Sequence, residues 1–210
     1  LRSGMGCVSI GSRSRGVSVP SVGMRADQLI GRAMDYLAEQ KCRRIAVITI
    51  AASAAHRPYV EAIRSAVEER QMQMEPYWLV GVDLNYPATA APIAHLLMHD
   101  QQRVRPDGLF IADDNLVEHA AGGLVTAGVR VPAELAVVGH CNFPWPTPTA
   151  LPMRRLGYDV REVLAGCMEV MQRQREGKRV AQEMTIAPRF EDEVAVVDVS
   201  KNLYSLELGS

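Results

Sequence analysis

Short apolar runs alternate along the chain with longer stretches in which apolar positions recur every three or four residues, the pattern of an α/β protein built on parallel sheets. Positions 7–10 and 17–19 read as short strands. Over 25–40, Ile30, Ala33, Met34 and Leu37 share one face of a helix. The run IAVITI at 45–50 has no polar break beyond one threonine, as expected for a strand covered on both faces. A helix is expected over 57–70 with Val60, Ile63 and Val67 on one stripe, then a strand over 77–80 and a helix over 88–99.

The next unit is sharper. Positions 108–112 form a buried strand that ends at Asp113-Asp114-Asn115, where a helix begins; it runs to Ala127 and stops at Gly128, which suits a left-handed cap. A further strand is expected over 135–139. Three prolines between 143 and 148 remove ladder donors and make that stretch a loop beyond a strand's C-terminal end, where α/β folds place ligands. A long helix over 158–175 ending near Gly177, a strand over 184–187 and a polar tail complete the reading.

Composition narrows the function. With 48% apolar and 22% charged residues the 210-residue chain is globular and large enough for one domain or two small ones. The 23 basic residues against 24 acidic ones leave no excess with which the chain alone would hold nucleic acid. Arg13 and Arg15, Arg43 and Arg44, and Arg154 and Arg155 read as solvated surface. Cys7, Cys42, Cys141 and Cys167 are widely spaced without a CxxC pair, which points to free thiols and a reducing compartment. No apolar run approaches the roughly 18 to 20 residues of a membrane span, and the first residues lack the apolar core of a secretory signal. The cytoplasm is the expected location.

Catalytic signatures are missing. Gly4-Met5-Gly6 has Ser9 where a dinucleotide loop needs a third glycine, and it precedes a strand. There is no phosphate loop of the GxxxxGK[ST] kind and no GxSxG elbow. His95 and His99 have the spacing of helical zinc ligands, but Leu96 stands where such a motif needs glutamate, so an exposed surface pair is expected. Asp113-Asp114 could bind a cation, yet acidic residues at a helix start also suit its positive end, and that suffices. No catalytic residue, metal or cofactor is expected.

Three segments carry a resemblance. PDGLFIADD at 106–114, followed by GVRVPAELAVVG at 128–139, resembles the core of lactose-repressor (LacI/GalR) family regulators; Cys42-Arg43-Arg44-Ile45-Ala46 resembles the family's entry to a strand. The likeness runs from about 7 to 189. It implies two doubly wound parallel-sheet lobes of the periplasmic-binding-protein type I kind, joined by three crossovers and closing on a small molecule, with the first lobe incomplete. It places 1–50 with 152–178 in the N-terminal lobe, 51–151 with 179–197 in the C-terminal lobe, and 198–210 in a tail. The DNA-reading head and part of the first lobe lie outside the chain on this reading.

The resemblance also implies a site. Arg57 stands at the family's effector-binding arginine and Tyr86 where an aromatic often stacks on the ligand; Asp113 lies at a strand's C-terminal end. Cys141 occupies the place of an aspartate that holds a ligand hydroxyl, with Asn142 beside it. Met24-Arg25 stands where an Asp-Asn pair is common, and Val60 replaces a glycine after Arg57. Each residue also has a plainer role: Arg57 as a surface helix arginine, Asp113 as a helix cap, Tyr86 as loop filler. The expected partners are a small-molecule effector (a sugar, sugar phosphate or small acid), operator DNA through a separate head, and a second copy in a homodimer, with no membrane. The alternatives are a secreted sugar-binding protein of a transport system and a small α/β transferase.

Overall fold

The computed structural model describes residues 6–11 and 18–194. In chain order the elements are β1 (Ser9–Ile10), β2 (Ser21–Met24), α1 (Ala26–Glu39), β3 (Ile45–Ile50), α2 (Ala51–Ala54), α3 (Arg57–Glu69), β4 (Leu79–Val82), α4 (Ala90–Leu97), β5 (Gly108–Ile111), α5 (Asp114–Thr126), β6 (Ala136–Phe143), β7 (Arg154–Asp159), α6 (Val160–Arg175), β8 (Glu183–Ile186) and β9 (Arg189–Phe190). Of the strand expected at 17–19, residue 17 lies outside the described residues and 18–19 are not in a strand; β2 begins only at Ser21. Among the described residues, no helix is long and apolar enough to cross a membrane.

The strands form two sheets. Six stand in the order β4-β3-β5-β6-β7-β9, parallel except for the antiparallel edge strand β9, and three in the parallel order β1-β2-β8. The α/β, parallel-sheet architecture is the one expected. Continuous apolar runs put β3 and β5 at the centre of the larger sheet: Ile45, Val47 and Phe110 face one layer while Ala46, Ile48, Leu109 and Ile111 face the other. α1 and α3 cover the first face through Ile30, Met34, Leu37, Ile63 and Val67. α4 and α5 cover the second through Ala94, Leu97, Leu116 and Leu124. The larger sheet is doubly wound, and its order reverses between β3 and β5.

The chain passes between the two sheets three times: from β2 into α1, from β7 through α6 to β8, and from β8 to β9. Strand membership differs from the expected division. β3 pairs with β4 and β5, and β7 pairs with β6, so both belong to the larger sheet and not with β1 and β2; β8 pairs with β2 in the smaller one. The reason is that a strand's sheet is fixed by long-range register, which local patterning does not carry. β7 itself stands where a loop and the start of a helix are expected.

Helix ends follow local chemistry. α5 stops at Gly128 (φ +70°) and α6 at Gly177 (φ +66°), left-handed positions that glycine takes without penalty. Asp113 and Asp159 cap α5 and α6 by accepting from the backbone N–H two residues on.

Candidate functional site

The C-terminal edge of the larger sheet gathers the candidate residues, as expected where strand order reverses in an open α/β sheet. The period of two decides which side chains reach it. On β6, Ala136 and Val138 belong to the layer under α1, and on β7 Leu156 does. Two residues on, the same rows turn polar: His140 and Asn142 on β6 and Tyr158 on β7, with Thr49 at the end of β3. The Tyr59 hydroxyl, from α3, lies 3.4 Å from Thr49 Oγ1.

The corner between β5 and β6 is tightly bonded. Asn142 Nδ2 donates to Asp114 Oδ2 at 2.6 Å. Asp113 Oδ1 accepts from the Asn115 backbone N–H at 3.0 Å and from Asn115 Nδ2 at 2.9 Å, closing the start of α5. His140 Nδ1 faces Asp114 Oδ1 at 3.8 Å, and its ring lies 5.9 Å from that of Tyr158 at 60°. The imidazole, and to a lesser degree Asn142, hold the Asp114 carboxyl below the ordinary carboxylate range against the opposing effect of burial. Burial raises the Tyr158 and Tyr59 phenols, so both hydroxyls stay protonated and neutral.

Tyr158 also reaches the first crossover, where its hydroxyl donates to the Arg25 carbonyl at 3.2 Å. Arg32 Nη1 of α1 donates to the Pro188 carbonyl in the third crossover at 2.7 Å. Asp159, beside the second crossover, pairs with Arg161, which keeps its carboxyl low.

Of the residues picked from sequence, Asp113 and Asn142 lie on this corner. Cys141 lies on the same strand but points the other way; it is 2% exposed, and burial pushes its thiol up to about 12. Arg57 is the first residue of α3, followed by Pro58 in the first turn, and its side chain is 88% exposed in an ion pair with Glu61 at 2.8 Å. Tyr86 is exposed and precedes a short 3₁₀ turn before α4. Among the described residues, no hydrogen bond or ion pair joins Arg57 or Tyr86 to the Asp113 corner. Sequence reasoning passed over His140, Tyr158 and Tyr59. Alternation along β6 was a usable signal, since it puts 140 and 142 on one face and 141 on the other; Tyr158 was hidden by taking β7 for a helix start.

Comparison with known proteins gives one family. The model of the periplasmic binding protein-like domain matches residues 34–189. No curated protein matches the chain. Among solved structures, a LacI family transcriptional regulator from Lactobacillus casei with bound glucose shares 22% identity and a TM-score of 0.71 over 88% of this chain and 67% of that one. Its form with bound sucrose gives 22% and 0.71 over 88% of this chain and 68% of that one. A LacI family transcriptional regulator from Bifidobacterium animalis subsp. lactis gives 16% and 0.73 over 88% of this chain and 66% of that one. At these identities the likeness is one of fold, and the chain spans about two thirds of each structure.

Proposed function

The chain belongs to the periplasmic binding protein-like family, and from that premise we propose that it is the effector-sensing part of a DNA-binding transcription repressor. A small molecule binds against the C-terminal edge of the larger sheet, changes how the two sheets are held about the three crossovers, and so shifts the DNA affinity of the whole regulator. The observation that carries the reading is the convergence of a capped, hydrogen-bonded polar edge and two of the three crossovers on Tyr158, which borders both. The regulators that share this fold add support, one of them holding glucose in one structure and sucrose in another.

The chain's near-zero net charge supports a reading in which a separate head makes the DNA contact. A homodimer follows from the need to read a twofold-symmetric operator. No catalytic role is assigned to any residue of the edge.

The deciding experiment pairs two measurements on the gene's full-length product. A gel shift on its own promoter DNA is expected to show sequence-dependent binding at physiological salt. Glucose, sucrose, a sugar phosphate or a small carboxylic acid is expected to change that binding in the same concentration range in which it raises the melting temperature. Ligand stabilisation without any DNA binding would overturn the regulator and favour the sugar-transport reading.

A further inference from the structure

We infer that His140 and Tyr158 are positioning residues that link the effector edge to the first crossover, so that the charge of the Asp114 corner is felt at Arg25. The inference rests on the proposed edge being the effector site, but the contacts that carry it exist without a ligand. His140 Nδ1 is buried and makes no hydrogen bond in this geometry, while Asp114 Oδ1 stands 3.8 Å away. A buried imidazole nitrogen beside a carboxylate is a group with a bond left to make. Protonation turns the gap into an attraction between opposite charges in a partly buried setting, where it is weakly screened.

The imidazole cannot respond alone. Its ring packs edge-on against Tyr158, which is 2% exposed, so a shift of one ring displaces the other. Tyr158 in turn holds the Arg25 carbonyl, the last residue before α1 and the point where the chain leaves the smaller sheet. The path from Asp114 to the crossover therefore runs through one electrostatic contact, one ring contact and one hydrogen bond.

The charged and titratable groups around this path come from every neighbouring element. Asp114 and Asp113 stand at the start of α5, Tyr59 comes from α3, and Arg25 and Asp27 stand at the entry to α1; Asn142 is on the same strand as His140. Asp27 is held low by its pairing with Arg25, and burial raises the Tyr59 and Tyr158 phenols, so none of these three changes charge between pH 5 and 8.

The test is an NMR titration of the whole 210-residue chain from pH 5 to 8. The backbone amides of 113–115 and of 25–27 are expected to shift with a single midpoint, that of the His140 ring. His140→Phe keeps an aromatic ring against Tyr158 and should abolish both responses. Tyr158→Phe keeps the ring contact, loses the bond to Arg25, and should abolish the response at 25–27 while leaving that at 113–115. Amides of 25–27 that stay flat in the unmodified chain, or that still titrate in Tyr158→Phe, would overturn the link. So would an imidazole that keeps one charge state throughout. Failure of every ligand to bind would count against the proposed function and leave this result untouched.

Discussion

Asn142 donates its side-chain amide to the carboxylate of Asp114 at 2.6 Å, tying the end of β6 to the first residue of α5. Asp114 gains twice from its position, since a carboxylate in the first turn also meets the positive end of the helix. Replacing it by asparagine removes the charge that His140 Nδ1 faces at 3.8 Å and weakens the bond from Asn142. The expected loss of stability is roughly 1–3 kcal/mol by urea unfolding at pH 7.

The same carboxylate sets a pH dependence of known sign. Its folded value is depressed, so its contribution is fully present above the unfolded aspartate value of about 3.9 and disappears as pH falls through the lower folded value. The stability gap between the unmodified chain and Asp114→Asn should narrow as pH falls below about 4. A gap that stays the same or widens below about pH 4 would refute this assignment.

The four thiols should separate by environment. Cys7 is exposed, whereas Cys42, Cys141 and Cys167 are buried. Burial pushes Cys42 up to about 11 and Cys141 up to about 12, so neither supplies thiolate near neutrality. Iodoacetamide at pH 8 should label Cys7 in the folded protein and the other three only after denaturant is added, as read by peptide mass mapping. Native-state labelling of Cys141 at the rate of Cys7 would show that this part of β6 is open.

Two adjacent glycines of α5 should give opposite results. A Cβ on Gly123 would lie 2.0 Å from the Ala91 carbonyl oxygen of α4, whereas a Cβ on Gly122 meets nothing within 4 Å. Gly123→Ala forces the helices apart and should cost about 1–3 kcal/mol. Gly122→Ala should be neutral or stabilising by up to about 1 kcal/mol, because alanine is the better helix former. Thermal unfolding of the pair checks both, and equal effects would contradict the close packing of α4 on α5.

Why these features were or were not legible follows from where their information sits. The runs at 45–50 and 108–111 announce β3 and β5 because both faces are covered, and Gly128 and Gly177 mark helix ends through a purely local backbone need. β7 was hidden by Arg154 and Arg155, which look solvated. In the fold the Arg154 guanidinium stacks 4.6 Å from the Phe190 ring and bonds to Asp192 at 2.6 Å, partners some forty residues away that no local window contains. The lobe division failed for a related cause, since β8 is placed beside β2 by pairing across most of the chain. At the candidate site, Asp113 and Asn142 are the residues picked from sequence that lie on the bonded corner. Cys141 was credited with a ligand's place that its orientation denies, because a residue-by-residue carry-over does not see the bonded corner at Asp114.

The last prediction concerns the effector. On the family resemblance Cys141 stands for a carboxylate that would hold a ligand hydroxyl, but its thiol is buried and neutral, and a thiol is a weak donor and a weak acceptor. The Asn142 amide is already committed to Asp114. Neither residue therefore supplies a neutral hexose with a charge-assisted bond, which is worth roughly 1.5–3 kcal/mol, about ten- to a hundredfold in affinity. Arg57 offers the compensating chemistry: its ion pair with Glu61 is exposed and cheap to break, and its planar fork matches a carboxylate or phosphate. A sugar phosphate or small acid should stabilise the chain more than the parent neutral sugar. At a hundred times its Kd such a ligand adds about 2.7 kcal/mol, or roughly 5–10 °C for a domain of this size. Arg57→Ala should remove most of that shift without lowering the melting temperature of the free chain by more than a degree or two, because an exposed i,i+4 pair contributes only about 0.3–0.5 kcal/mol. A plain hexose that stabilises the chain strongly, and equally well in Arg57→Ala, would refute both the anionic preference and the arginine's part in it.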